Sequence, residues 1–97
     1  MNNKIHELYE TFARLNSAED AEAFLTDICS EKEICLMAQR LQAAKLLLAG
    51  TTYKVVMEQT AIVSRDNPSE KIKISSTTLR RITKCIQQGS GYNKFLK

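Results

Sequence analysis

Apolar positions recur at helical spacing in five stretches of the chain and alternate with polar ones in a sixth. Ile5, Leu8, Phe12 and Leu15 predict a first amphipathic helix over residues 4–15. Ser17 and Asp20 mark the start of a second, with Ala21, Phe24, Leu25 and Ile28 on its inner face. The third stretch, residues 30–50, is the most apolar and organises the rest. Ser30 and Glu33 have the spacing of a capping box, and Gly50 is a natural C-terminal stop. Winding this segment as a helix gives one stripe of Ile34, Met37, Ala38, Leu41, Ala44 and Leu48, and a second of Leu36, Ala43 and Leu47. In the middle, Gln39, Arg40, Gln42 and Lys45 interrupt the apolar surface. A helix apolar on most of its circumference must be covered on most sides. A chain of 97 residues has few elements to do so, and a second copy of the chain is the expected partner.

After Gly50 a short helix is predicted over 52–60, with Thr52 as cap and Tyr53, Val56, Met57 and Thr60 on one face. A long buried helix, a glycine and a short helix make the opening of a helix-turn-helix. The pattern then changes. Residues 61–75 hold β-branched residues on both sides of Asp66-Asn67-Pro68-Ser69, a turn sequence containing the chain's one proline. Lys71, Ile72, Lys73 and Ile74 alternate as a half-buried strand does. This fits a β-hairpin insert; a flexible basic loop is the competing reading, because an isolated two-stranded hairpin is marginal in water. Helical spacing returns from Ser75 or Ser76 to Gln88, with Leu79, Ile82 and Ile86 as the stripe and Cys85 at its border. The opposite face carries Thr77, Arg80, Arg81, Lys84, Gln87 and Gln88. Gly89 and Gly91 end it, and Tyr92, Phe95 and Leu96 form a final turn able to pack back on the body. No repeat or linker divides the chain, so an all-α single domain over 1–97 is expected, with the hairpin insert as its one departure.

Composition adds the class. With 43% hydrophobic and 26% charged residues this is an ordinary globular chain, and no apolar run approaches the ~20 residues that span a bilayer. The start, MNNKIHELYE, has no signal-peptide apolar core, and a cytoplasmic location is expected. The net charge of +3 conceals a split: residues 1–50 carry −3 and residues 51–97 carry +6. Such asymmetry suggests a basic surface turned toward a polyanion. Cys29, Cys35 and Cys85 match no zinc spacing, and the single histidine, His6, is distant; they read as small core residues of a reduced protein. No paired carboxylates beside a nucleophile, no metal cluster and no phosphate-cradling glycine loop can be read, so neither an enzyme nor a cofactor is expected.

Arginine and lysine hold phosphates and read guanine edges, while glutamine and threonine can bond adenine or thymine edges in the major groove. Residues 76–88 carry this mixture with no acidic residue, where a merely solvated helix usually mixes both signs. The blocks AQRL and AKLLLAGTTY within residues 38–53, followed by TTLRRITKCI at 77–86, resemble the Trp repressor-like family, in particular its YerC-type branch. The resemblance implies an intertwined helical homodimer that binds operator DNA as a transcription regulator. Residues 4–50 would then supply the dimerisation helices and 52–88 the helix-turn-helix, with 61–75 inserted as an arm where the family has a tight turn. The residues implied to touch double-stranded DNA are Thr52 and Lys54 on the first helix of the motif, and Ser76, Thr77, Thr78, Arg80, Arg81, Lys84 and Gln87 on the recognition helix. Arg65, Lys71 and Lys73 join them from the residues themselves rather than from the resemblance: Ile72 and Ile74 point one way, and Lys71 and Lys73, with Arg65 near the turn, point the other way, free to meet phosphate. The two arginines that flank the amino-acid ligand in Trp repressor correspond to Arg40 and Arg81. The glycine that gives the indole room corresponds to Ile82, and the serine completing the site to Cys85, so tryptophan is not expected as a co-repressor. The competing functions are a protein-interaction adaptor on the same scaffold and an amino-acid-responsive repressor of the Trp repressor type.

Overall fold

The structure, a computed structural model, describes residues 3–63 and 67–96. The element order is α1 (Asn3–Phe12), α2 (Ala18–Ile28), α3 (Glu31–Leu48), α4 (Tyr53–Gln59), β1 (Ile62–Val63), β2 (Lys71–Ile72), α5 (Ser76–Gln87) and α6 (Gly91–Leu96). The fold is mostly helical with one small antiparallel hairpin, as the sequence pattern predicts. The chain divides at Ser30–Glu31 into two compact units. Among the described residues, no helix is long and apolar enough to cross a membrane.

The first unit is a helical pair. Its first helix stops at Phe12, short of the predicted end, and leaves Leu15 half-buried in the connection. Ser17 caps α2 as expected: its hydroxyl accepts from the Asp20 N–H at 3.0 Å. The Asp20 carboxylate in turn accepts from the Asn16 N–H at 3.3 Å. Phe12 and Phe24 meet edge to face, with ring centroids 5.7 Å apart. No described residue of this unit is buried. Tyr9 is 57% exposed and Ile28, predicted on the inner face, 52%. The apolar stripes are in place but unit 1 has no core of its own.

The second unit is built on α3, against which α4, α5 and α6 pack. Its core comprises Ala43 and Ala44 from α3, Val56 from α4, Leu79 and Ile82 from α5, and Ile74 just beyond β2. Small residues on α3 let the other helices approach closely. Met37 and Leu41, on the first predicted stripe, stay exposed. The end of α3 is a Schellman motif: the Gly50 N–H reaches the Leu47 carbonyl and the Thr51 N–H the Leu46 carbonyl, both at 3.0 Å. Gly50 takes φ +84°, a left-handed conformation that a side chain would strain. α4 can therefore start at Tyr53, with only residues 49–52 between it and α3. Thr52 occupies the N-cap position of α4 as predicted, yet its side chain makes no capping bond.

The hairpin pairs Ile62 with Ile72 and Val63 with Lys71. At its turn the Glu70 N–H donates to the Asn67 carbonyl at 2.9 Å, which places Pro68 second in the turn, where its fixed φ fits. The Ser69 hydroxyl donates to the Asn67 side-chain oxygen at 2.7 Å. The flanks pack as the alternation predicts, with Lys71 and Lys73 exposed, Ile72 half-buried and Ile74 buried. Anchoring by Ile74 removes the weakness of a lone hairpin.

Gln39 is the main surprise of the core. It sits among the residues expected to interrupt an apolar surface, but it is 2% exposed. Its Nε2 donates to the Thr60 carbonyl at 3.2 Å and to the Ile72 carbonyl at 2.8 Å. One amide from α3 thus holds both the end of α4 and the second strand of the hairpin. α6 also differs in part from expectation: Tyr92 and Leu96 pack on the core, but Phe95 is 76% exposed.

Candidate nucleic-acid interface

α5 acquires its orientation from its apolar stripe and from the caps at its two ends. Leu79 and Ile82 are buried and Ile86 packs against them. Ser75 supplies the N-cap, accepting from the Thr78 N–H at 3.1 Å. The hydroxyls of Ser75 and Thr78 lie 2.9 Å apart, so Thr78 is partly occupied in the cap and half-buried. Gly89, at φ +75°, ends the helix.

This anchoring leaves the opposite face free. Ser76, Thr77, Arg80, Arg81, Lys84 and Gln87 are all exposed. At ~100° per residue Thr77, Arg80, Arg81 and Lys84 fall within one quarter to one third of the helix surface. The first turn of α5 carries no acidic residue, and after Glu70 the sequence has no carboxylate side chain at all. The free N–H groups and positive dipole end at Ser76 and Thr77 therefore add to the same cationic field. Such a face can hold phosphates through its cations and offer Thr77 and Gln87 to base edges.

α4 sits alongside through a bond not visible in the sequence pattern. The Tyr53 hydroxyl and the Thr83 hydroxyl are 2.7 Å apart, and Thr83 also donates to the Leu79 carbonyl at 2.9 Å. A partly buried tyrosine needs a partner for its hydroxyl, and that need was the available clue. α4 and α5 are thus tied together despite the hairpin between them. Thr52 and Lys54 are exposed at the start of α4, and Lys71 and Lys73 are exposed on the arm. Arg65 lies outside the described residues.

Arg40 and Arg81, the positions that the family resemblance matches to the two ligand-flanking arginines, line one cavity of about 220 Å³ together with Thr78, Ile82, Cys85 and Tyr92. Both guanidiniums are solvent-exposed, and neither has an ion-pair partner among the described residues. Ile82 forms part of the cavity wall while its side chain packs into the core. The three cysteines are free and half-buried.

The family model described as Trp repressor protein matches residues 3–97. The chain belongs to the Trp repressor family. It is also similar to the uncharacterized protein YerC of Bacillus subtilis (strain 168), with 26% identity over 87 residues, covering 90% of this chain and 72% of that one. No solved structure matches the chain. The Trp repressor family is a family of regulatory DNA-binding proteins. In this chain a hairpin lies between α4 and α5, held to α3 by Gln39.

Proposed function

We propose that the chain is a sequence-specific transcription regulator, a repressor, that binds duplex DNA as a homodimer through α4 and α5. The observation that carries this reading is the exposed, carboxylate-free face of α5, displayed by a helix whose other face is locked into the core. Arg80, Arg81 and Lys84 hold backbone phosphates, and Thr77 and Gln87 face the bases. Ser76 and Thr52 contribute hydroxyls at the helix starts, with Thr78 at the margin. Lys54, Lys71 and Lys73 extend the basic surface onto α4 and the arm.

Homodimer formation is supported by the apolar residues that a single chain leaves in water. Ile5, Leu8, Tyr9 and Phe12 on α1 are exposed, as are Met37 and Leu41 on α3. Burial of such side chains is worth about 1.5–3 kcal/mol each, so their exposure in a folded single chain favours association. Under this reading residues 4–50 furnish the dimer interface and 52–88 the DNA-binding part.

The test is a salt titration of binding to random-sequence duplex DNA. The native protein is expected to lose affinity steeply with salt. The Arg80→Ala/Arg81→Ala/Lys84→Ala variant, folded by circular dichroism, should show a log–log slope lower by about 1 per phosphate contact removed. An unchanged slope would remove α5 from the interface. Absence of duplex binding by the native protein would favour the adaptor function.

A further inference from the structure

We infer that the cleft between α4 and the hairpin is a binding site for a free small anion with an apolar body, a carboxylate or phosphate ester, and that its occupation weakens DNA binding. The regulatory half of this inference rests on the DNA-binding function proposed above; the ligand site itself does not.

The cleft has a volume of about 460 Å³, within the range of small-molecule sites. Met57 and Ala61 line it along with Lys54, Glu58, Lys71 and Lys73, and its lining surface is mostly apolar. Lysines come from both walls: Lys54 from α4, Lys71 and Lys73 from the hairpin side. None of the three has an ion-pair partner among the described residues. Three cations against the single carboxylate of Glu58 select an anion. Long lysine stems can lie along an apolar ligand while their charged ends reach its anionic group.

The two walls are held at fixed separation by Gln39. Its buried amide grips the carbonyl of Thr60, at the end of α4, and that of Ile72, on β2. A cleft whose walls share one anchor loses little freedom on binding, which favours affinity. The same lysines face DNA in the proposed complex. A ligand that neutralises them competes with phosphate, so the coupling is negative and reciprocal.

Octanoate is the probe, with acetate (charge without body) and octylammonium (body with opposite charge) as controls. Binding is followed through the methyl NMR signals of Met57 and Ala61 in the full chain, without DNA. Octanoate should shift both signals saturably, and the two controls should bind at least tenfold more weakly. Ala61→Leu fills the cleft and should weaken octanoate at least tenfold while leaving affinity for random duplex DNA within twofold. Lys71→Gln/Lys73→Gln, both at exposed positions, should also weaken octanoate at least tenfold and guards against misfolding of the first variant. Saturating octanoate should lower DNA affinity of the native protein at least threefold, with no such effect in Ala61→Leu. The site is overturned if octanoate gives no saturable shift, if octylammonium binds as well, or if the lysine variant binds octanoate unchanged. Saturable octanoate binding by a protein that fails to bind DNA would uphold the site and overturn the DNA-binding function instead. Octanoate binding that leaves DNA affinity unchanged would overturn the competition.

Discussion

At Gln39 a single side chain ties together two segments that are distant in the sequence. Leaving a buried carbonyl without its donor costs about 1–3 kcal/mol. Gln39→Leu, similar in size, removes the donor from one buried and one part-buried carbonyl and is expected to lower the unfolding free energy by about 2–4 kcal/mol, measured by urea denaturation. Gln39→Glu should be worse near neutral pH, because an ionised carboxylate there faces two carbonyl oxygens and can only accept. Burial among those oxygens raises the folded-state pKa above its unfolded value. The variant should therefore be most stable below the ordinary carboxylate range and lose stability as pH rises through the raised value. A pH series of denaturation curves checks the sign. Ile82 belongs to the same scale. It replaces the small residue that the family resemblance places beside the ligand arginine, and it walls the Arg40–Arg81 cavity from the core side. L-tryptophan is accordingly expected not to bind measurably by calorimetry; micromolar affinity would refute that steric reasoning.

At the scale of elements, α5 and the arm divide the proposed work. α5 is fixed by Leu79 and Ile82, and Leu79→Ala is expected to cost about 2–5 kcal/mol, since the side chain is fully buried. The arm is fixed by Ile74 and by Gln39, which allows its lysines to present a surface with defined position. Replacing residues 62–73 by a tight turn should keep the oligomeric state, reduce DNA affinity and flatten its salt dependence. Unaltered DNA binding would reduce the arm to a spacer. Loss of the dimer would assign it to the subunit interface. The hairpin was legible in the sequence from Pro68 in its turn and from the alternation at Lys71–Ile74. The short length of its strands was not, because side-chain alternation continues past the point where the backbone pairing of Ile62 with Ile72 and Val63 with Lys71 stops.

At the scale of the whole molecule, the expected particle is a dimer of twice the 11.0 kDa chain mass by light scattering at micromolar concentration. A folded 11.0 kDa monomer would contradict it. Dimer symmetry further predicts operator half-sites about one DNA turn apart, roughly 10–10.5 base pairs, visible in a footprint. The helices of this molecule were readable from sequence because local periodicity, capping serines and Gly50 act over a few residues and need no distant partner. The cationic face of α5 was readable too, since helical spacing alone groups Thr77, Arg80, Arg81 and Lys84. Tertiary structure decided the rest. Gln39 looks polar and therefore exposed in the sequence, and becomes core only because the carbonyls of Thr60 and Ile72 converge on it. Tyr53 and Thr83 find each other only once α3 has brought α4 and α5 together. Phe95 reads as core by its chemistry and is exposed in the single chain, because hydrophobic burial depends on whether a neighbour faces the side chain, and that is set by packing rather than by residue type.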